Sequence, residues 1–399
     1  MKKYIKDILL FLIAFLFLLP GVVSKKYWED IKLHTTAFFK NIETEGFFAS
    51  FESYTDTMET VSAESLEYHK DLIDLNSKLM NLEGIRIVEK DSMTVVRANN
   101  GYLSAVREKI SDESLFKRAD NLEALYESAK NNGAEFLYIM APTKGYSTEY
   151  PENAIDYNKD NCDRFLKELK TRSIPYFNLM DEMRRDGISE EDLFFITDHH
   201  WKPEYAFWAV SSALEELRFP CDREVIDIIN YNVEEYENWF LGSQGKKVGR
   251  FFTDRGVDDI KLITPKFPTD LTENQPGKNL VRRGTFDEIL LDVGHINEKD
   301  YFGKNPYAAY TGGDFREQII TNHLNPDGKK VLVIRDSFAC AFTPFLSLAA
   351  GETYILDMRD FPEFQGERID VKKYIEDINP DYVLVLYTGV TASEVLFDF

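Results

Sequence analysis

Val331-Leu332-Val333-Ile334-Arg335-Asp336-Ser337-Phe338 is the stretch on which the fold turns. Four aliphatic side chains, two of them valine and one isoleucine, make a short apolar run that ends in a polar turn. Such a run reads as a buried strand of a sheet covered on both faces. A hydroxyl just past a strand of that kind stands where open α/β sheets carry their chemistry, which makes Ser337 the candidate nucleophile. The same position also suits a helix cap.

Working outward, strands are expected at 135–140, 175–179, 353–356 and 382–386. Helices are expected at 111–131 with Ser111 as cap, at 160–172, at 203–218 with Pro203 in its first turn, and at 371–378. Helices alternating with short apolar strands predict an α/β fold with a mostly parallel sheet. The alternation lapses between about 222 and 323, where Gly, Asn, Asp and Tyr are frequent. That region reads as an insertion between two halves of one sheet, with short strands at 259–263 and 286–291. Ahead of the alternation, 84–89 and 93–96 read as two strands of a hairpin, followed by the turn Asn99-Asn100-Gly101.

Residues 25–83 are polar and aromatic, with Leu66, His69, Leu72, Leu75 and Leu79 at helical spacing, and are expected to form a helical stalk or cap. Residues 1–24 place Lys2, Lys3 and Lys6 before an apolar run at 8–23, the pattern of a signal peptide or membrane anchor. Either way the remainder is expected outside the cytoplasm, secreted or held at the membrane by this segment.

The second stretch that carries chemistry is Thr197-Asp198-His199-His200-Trp201, after the apolar run 192–196, which reads as a strand. On an extended segment Asp198 and His200 share a face, so the carboxylate can hold the imidazole in one tautomer, while His199 falls on the opposite face. With Ser337 these residues supply the nucleophile, base and orienter of a hydrolase-type triad. The Ser337 amide is one candidate oxyanion donor. Gly242 and Ser243, in Gly242-Ser243-Gln244-Gly245, are a second, because glycine allows close backbone approach. Lys144, just past the strand at 135–140, is a candidate for contact with an anionic sugar or a developing charge. Trp239, Phe240, Tyr307 and Tyr310 read either as a sugar-stacking wall or as core. Asp198, His199 and His200 are adjacent and lack a partner at ligand spacing, so neither a metal nor another cofactor is expected.

The chain has 399 residues and a formal charge of -22, which repels phosphate backbones and argues against nucleic-acid binding. Three scattered cysteines, Cys162, Cys221 and Cys340, make no disulfide framework and no Cys-x-x-Cys pair. Cys340 reads as a small buried thiol.

Asp198-His199-His200-Trp201 followed by Pro203-Glu204, Phe240-Leu241-Gly242-Ser243 with Gly245-Lys246, and Arg335-Asp336-Ser337-Phe338 with Phe342, Pro344 and Phe345 together resemble the DHHW protein family. That family is grouped with the SGNH hydrolase-like domains of alginate O-acetyltransferases. The resemblance covers roughly 84–399. It implies a flavodoxin-like, three-layer SGNH hydrolase-like fold, with the Asp-x-His pair ahead of the serine in the chain. It also implies Ser337 as nucleophile, His200 as base and Asp198 as orienter. The family commonly shows Asn at the exit of the last strand where this chain has Thr388, which makes Thr388 a further oxyanion candidate. The implied activity is acetyl transfer to or from hydroxyls of a cell-surface or exported polysaccharide, by an O-acetyltransferase or acetylesterase. A transferase would take its acyl group from a membrane acyltransferase partner. The alternative is a glycan-binding or assembly protein that keeps the fold without turnover.

Overall fold

The computed structural model describes residues 32, 36, 37, 69–90, 93–359, 361, 368–389 and 393–399. The expected targeting segment and most of the expected stalk lie outside the described residues. The chain divides into two compact units, 1–79 and 80–399. Helical residues from His69 belong to a helix, His69–Leu82, that starts within the first unit. Among the described residues no helix is long and apolar enough to cross a membrane.

The second unit opens with an antiparallel sheet of β1 (Ile87–Lys90), β2 (Met93–Arg97) and β3 (Leu103–Ala105). Val95 and Leu103 of this sheet pack with Val248 and Phe252 in a small core of their own. Among the described residues the main sheet has eight strands. Five are parallel, in the spatial order β5 (Tyr176–Asn178), β4 (Glu135–Ala141), β13 (Tyr382–Thr388), β11 (Lys330–Arg335), β12 (Glu352–Asp357). Counted from the strand that carries Ser337, the sequence β11, β12, β13, β4, β5 takes the positions 2-1-3-4-5 of a doubly wound sheet. The chain therefore enters a flavodoxin-like sheet at its fourth strand and reaches the first strand late. The topological switch point falls between β11 and β13, next to Ser337.

β13 shows how the layers form. Its residues are buried almost throughout, so the strand reads as an unbroken apolar run. Tyr387 meets Phe397 on one face, the face on which Tyr138 of β4 meets Phe165 of the helix Asn158–Thr171. Tyr382 points the other way and meets Phe219, just beyond the helix Pro203–Glu216. The helix Asp112–Asn131, capped by Ser111, packs with Asn158–Thr171 and with Val371–Ile378. On the other side Pro203–Glu216 packs with Thr343–Ala349, through Phe207 against Phe345.

The expected insertion does not stay apart from the sheet. β10 (Glu317–Asn322), β8 (Leu271–Gln275) and β9 (Leu280–Gly284) extend it antiparallel beyond β12. β6 (Tyr231–Phe240) pairs with β7 (Asp258–Pro265) in a separate ribbon. Two expected strands are not strands. Residues 192–196 end a helical turn, Glu190–Leu193, and keep one isolated bridge, Phe194 with Trp201. Residues 286–291 hold the helix Phe286–Leu290. The physical reason is the same in both: Ser189 with Asp192, and Thr285 with Glu288, form reciprocal capping boxes that start a helix just where the apolar run begins. The three cysteines are free, and Cys340 is buried beside Arg335.

Candidate active site

Ser337 sits in a single 3-10 turn, Ser337–Cys340, immediately after β11. Asp336 fixes that turn, accepting from the Phe338 amide at 3.0 Å and from the Thr388 amide at the end of β13 at 2.7 Å. The cap leaves the Ser337 N–H, first in the turn, without an intrahelical acceptor. Behind it Arg335 is buried and pairs with Asp314 at 2.9 Å.

The Ser337 hydroxyl lies 2.8 Å from His200 Nε2, and His200 Nδ1 lies 2.5 Å from Asp198 Oδ1. Asp198 Oδ1 also accepts the His200 amide at 3.0 Å, and Oδ2 accepts the Ser243 amide at 2.6 Å. An ionised carboxylate only accepts, so Nδ1 carries the proton and Nε2 presents its lone pair to the serine. Burial on its own raises a carboxyl, but the His199 and His200 rings and the Ser243 amide hold Asp198 well below the usual carboxylate range. Asp198 and His200 are buried, whereas Ser337 is half-buried and reachable from solvent.

Two aromatic residues join His200 to the turn that holds Ser337. Tyr307 stacks on the His200 ring, with centroids 4.1 Å apart and planes 17° apart, and its hydroxyl donates to Phe338 O at 3.1 Å. Trp201 Nε1 donates to the same carbonyl at 3.1 Å. Tyr307, Tyr310 and Phe240 are buried, so of the four aromatic residues considered for sugar stacking these three are core, and Trp239 donates to Ile296 O. His199 does not lie opposite its neighbour. Residues 197–200 form bends rather than a strand, which brings its ring to 3.9 Å from that of His200 and its Nδ1 to 3.1 Å from Ser243 Oγ. Burial of its inner edge and the adjacent His200 lower the His199 imidazole.

Four candidates take other roles. The Gly242 amide donates to Thr197 Oγ1 at 2.8 Å and the Ser243 amide to Asp198, so neither is available to an oxyanion. The close approach expected of Gly242 is real but is made to the protein: a Cβ there would stand 2.2 Å from Asp198 Cβ. Lys144 does not reach the rim. It is buried, and its Nζ donates to three backbone carbonyls, those of Leu103, Ile196 and Asp198. The Thr388 amide and hydroxyl both serve Asp336.

Asp258 was not among the expected residues. From the start of β7 it accepts from the Ile196 amide, from the Thr197 amide at 2.8 Å and from the Thr197 hydroxyl at 2.5 Å. Nothing around it resembles a motif, and 61 residues separate it from Thr197. The donor atoms of Asp198, His199 and His200 fall within 4.8 Å of one another. Both carboxylate oxygens and both His200 nitrogens are already engaged, an arrangement suited to moving a proton rather than to holding an ion.

Residues 102–218, which contain Asp198 and His200, match the family model described as SGNH hydrolase-like domain, acetyltransferase AlgX. Bacillus cereus PatB1, solved with a sulfonyl adduct, is similar at 22% identity and a TM-score of 0.62, over 78% of this chain and 100% of that one. A DHHW family protein from Eubacterium siraeum is similar at 18% identity and a TM-score of 0.56, over 78% of this chain and 96% of that one. No curated protein sequence matches the chain. The chain thus matches an SGNH hydrolase-like domain over 102–218 and shares the fold of PatB1 and of a DHHW family protein.

Proposed function

We propose that this protein is a serine-dependent O-acyltransferase, acting with acetyl on hydroxyls of a cell-surface or exported polysaccharide. The observation that carries the reading is the continuous contact from Ser337 Oγ through His200 to Asp198, at 2.8 and 2.5 Å. The match to an acetyltransferase family model over 102–218 supports the choice of acyl group. His200 Nε2 takes the proton of Ser337 as its oxygen attacks the donor ester carbonyl, and the Ser337 amide receives the developing oxyanion. His200 then returns the proton to the departing alcohol, which leaves acyl-Ser337. An acceptor hydroxyl repeats the cycle in reverse, giving its proton to His200 and freeing the serine. Water in place of the sugar makes the same site an acetylesterase. The donor is proposed to come from a membrane acyltransferase, with residues 1–24 as signal or anchor, 25–83 as stalk or cap and 84–399 as the catalytic domain, outside the cytoplasm.

The test uses an activated acetyl ester and, since PatB1 holds a sulfonyl adduct, a sulfonyl fluoride, with intact and peptide mass spectrometry on wild type and Ser337→Ala. The expected result is an adduct at Ser337 and turnover that needs it, with candidate glycans then separating transfer from hydrolysis. A folded wild-type chain with neither adduct nor turnover overturns the enzyme reading in favour of glycan binding or assembly.

A further inference from the structure

Among the described residues the 196–198 backbone joins no strand in a ladder, yet its polar groups are almost all satisfied. Asp258 takes the amides of Ile196 and Thr197, Gly245 N donates to Thr197 O at 2.9 Å, and Leu103 N donates to Ile196 O at 2.8 Å. Lys144 Nζ supplies the rest, at 3.1 Å to Ile196 O and 2.7 Å to Asp198 O, with its third contact on Leu103 O at 2.5 Å. An ammonium has three N–H donors and a carboxylate only accepts, so one residue serves the carbonyls and the other the amides. Lys144 is 7% exposed and Asp258 2%. Burying two charges this deeply costs folding free energy; Asp258 spends its bonds on the segment that carries the base, and Lys144 two of its three. We infer that Lys144 and Asp258 are positioning residues of the proposed acyl transfer: as a pair they stand in for a missing neighbouring strand and so fix where His200 meets Ser337. The inference rests on the acyl-transfer reading for its kinetics, though not for its geometry.

A third donor exists only while Lys144 is protonated. Burial pushes its ammonium down to about 7. Asp258, Asp198 and Glu190 oppose that fall, Lys202 adds to it, and the Tyr102 ring lies 5.5 Å away. Raising the pH through this range removes one N–H and takes the Lys144 donor from one of three carbonyls, two of which belong to the base segment, so the rate is expected to fall. Unfolded lysine keeps its proton to about 10.4, so over this window the unfolded chain binds more protons and the group's contribution to stability rises with pH. Alkaline loss of rate without loss of melting temperature is therefore the signature of the tether.

The experiment compares full-length wild type, Lys144→Met, Lys144→Arg and Asp258→Asn. Readouts are the melting temperature, kcat and KM on the activated ester against pH, and the downfield proton resonance of the His200–Asp198 hydrogen bond, which needs no turnover. Lys144→Met is expected to lose about 10- to 100-fold in kcat with KM within about twofold, to lack the alkaline limb, and to broaden or shift that resonance. Lys144→Arg restores a permanent cation and is expected to recover part of kcat and to move the limb above about pH 10. A folded Lys144→Met with wild-type kcat and resonance overturns the inference. If that variant does not fold, a wild-type resonance in Asp258→Asn does the same. Should wild type show no turnover or adduct, the resonance alone decides, so the two readings fail separately.

Discussion

Ser337 and His200 are held by opposite means. The serine leaves a parallel sheet whose central strands are buried on both faces, and one carboxylate, Asp336, ties its turn to the next strand. The histidine stands on an irregular segment with a single bridge, steadied by side chains and amides from β3, from the loop after β4 and from the region 242–258. A sheet positions a residue through many cooperative backbone bonds, so its accuracy survives the loss of any one. A tethered segment depends on each anchor, and that difference gives the two halves of the site different sensitivities.

Ser337→Ala should have the largest effect, a loss of roughly 10⁴-fold or more in kcat, read by steady-state kinetics, with an unchanged melting temperature. A lower melting temperature would mean that the sheet alone does not hold the nucleophile turn. Asp198→Asn should cost roughly 10³- to 10⁴-fold in kcat, because an amide no longer selects the tautomer with Nε2 free. The tethered half should also be fragile to a single methyl group. In Gly242→Ala the new Cβ meets the backbone nitrogen and Cα of Asp198 at 2.6 Å, so the segment must shift. The expected cost is about 1–3 kcal/mol in denaturant unfolding and roughly 100-fold in kcat. Thr388→Val should be the mildest, within about threefold in kcat, since its hydroxyl serves Asp336. A loss of roughly 10²-fold or more there would instead place Thr388 in the oxyanion hole and blur the contrast.

What was legible in the sequence follows the same division. The sheet half could be read because β11, β13 and β4 are continuous apolar runs, and such runs are local. Ser337, His200 and Asp198 could be named because the last two stand two residues apart in sequence and the serine follows a strand. Lys144 could be named but not placed: a lysine after a strand gives no sign that it will turn inward and spend every N–H on carbonyls. Asp258 and the true use of Gly242 were illegible, because their partners are 61 and 45 residues away. The two strands misjudged at 192–196 and 286–291 were decided by capping boxes whose first residues lie outside the apolar runs. The spatial order of the strands was also hidden, since nothing local tells β13 to pass between β4 and β11.

That last placement has a consequence for how the molecule comes into being. β13 is made after every other strand, yet it lies at the middle of the parallel sheet, between β4 and β11. Until residues 382–388 have left the ribosome, the β4–β5 pair and the β11–β12 pair have no common neighbour, and the wedge between them exposes two unsatisfied strand edges. Assembly must then wait on contacts between residues about 250 positions apart, a topology that folds slowly and leaves its intermediates prone to aggregation.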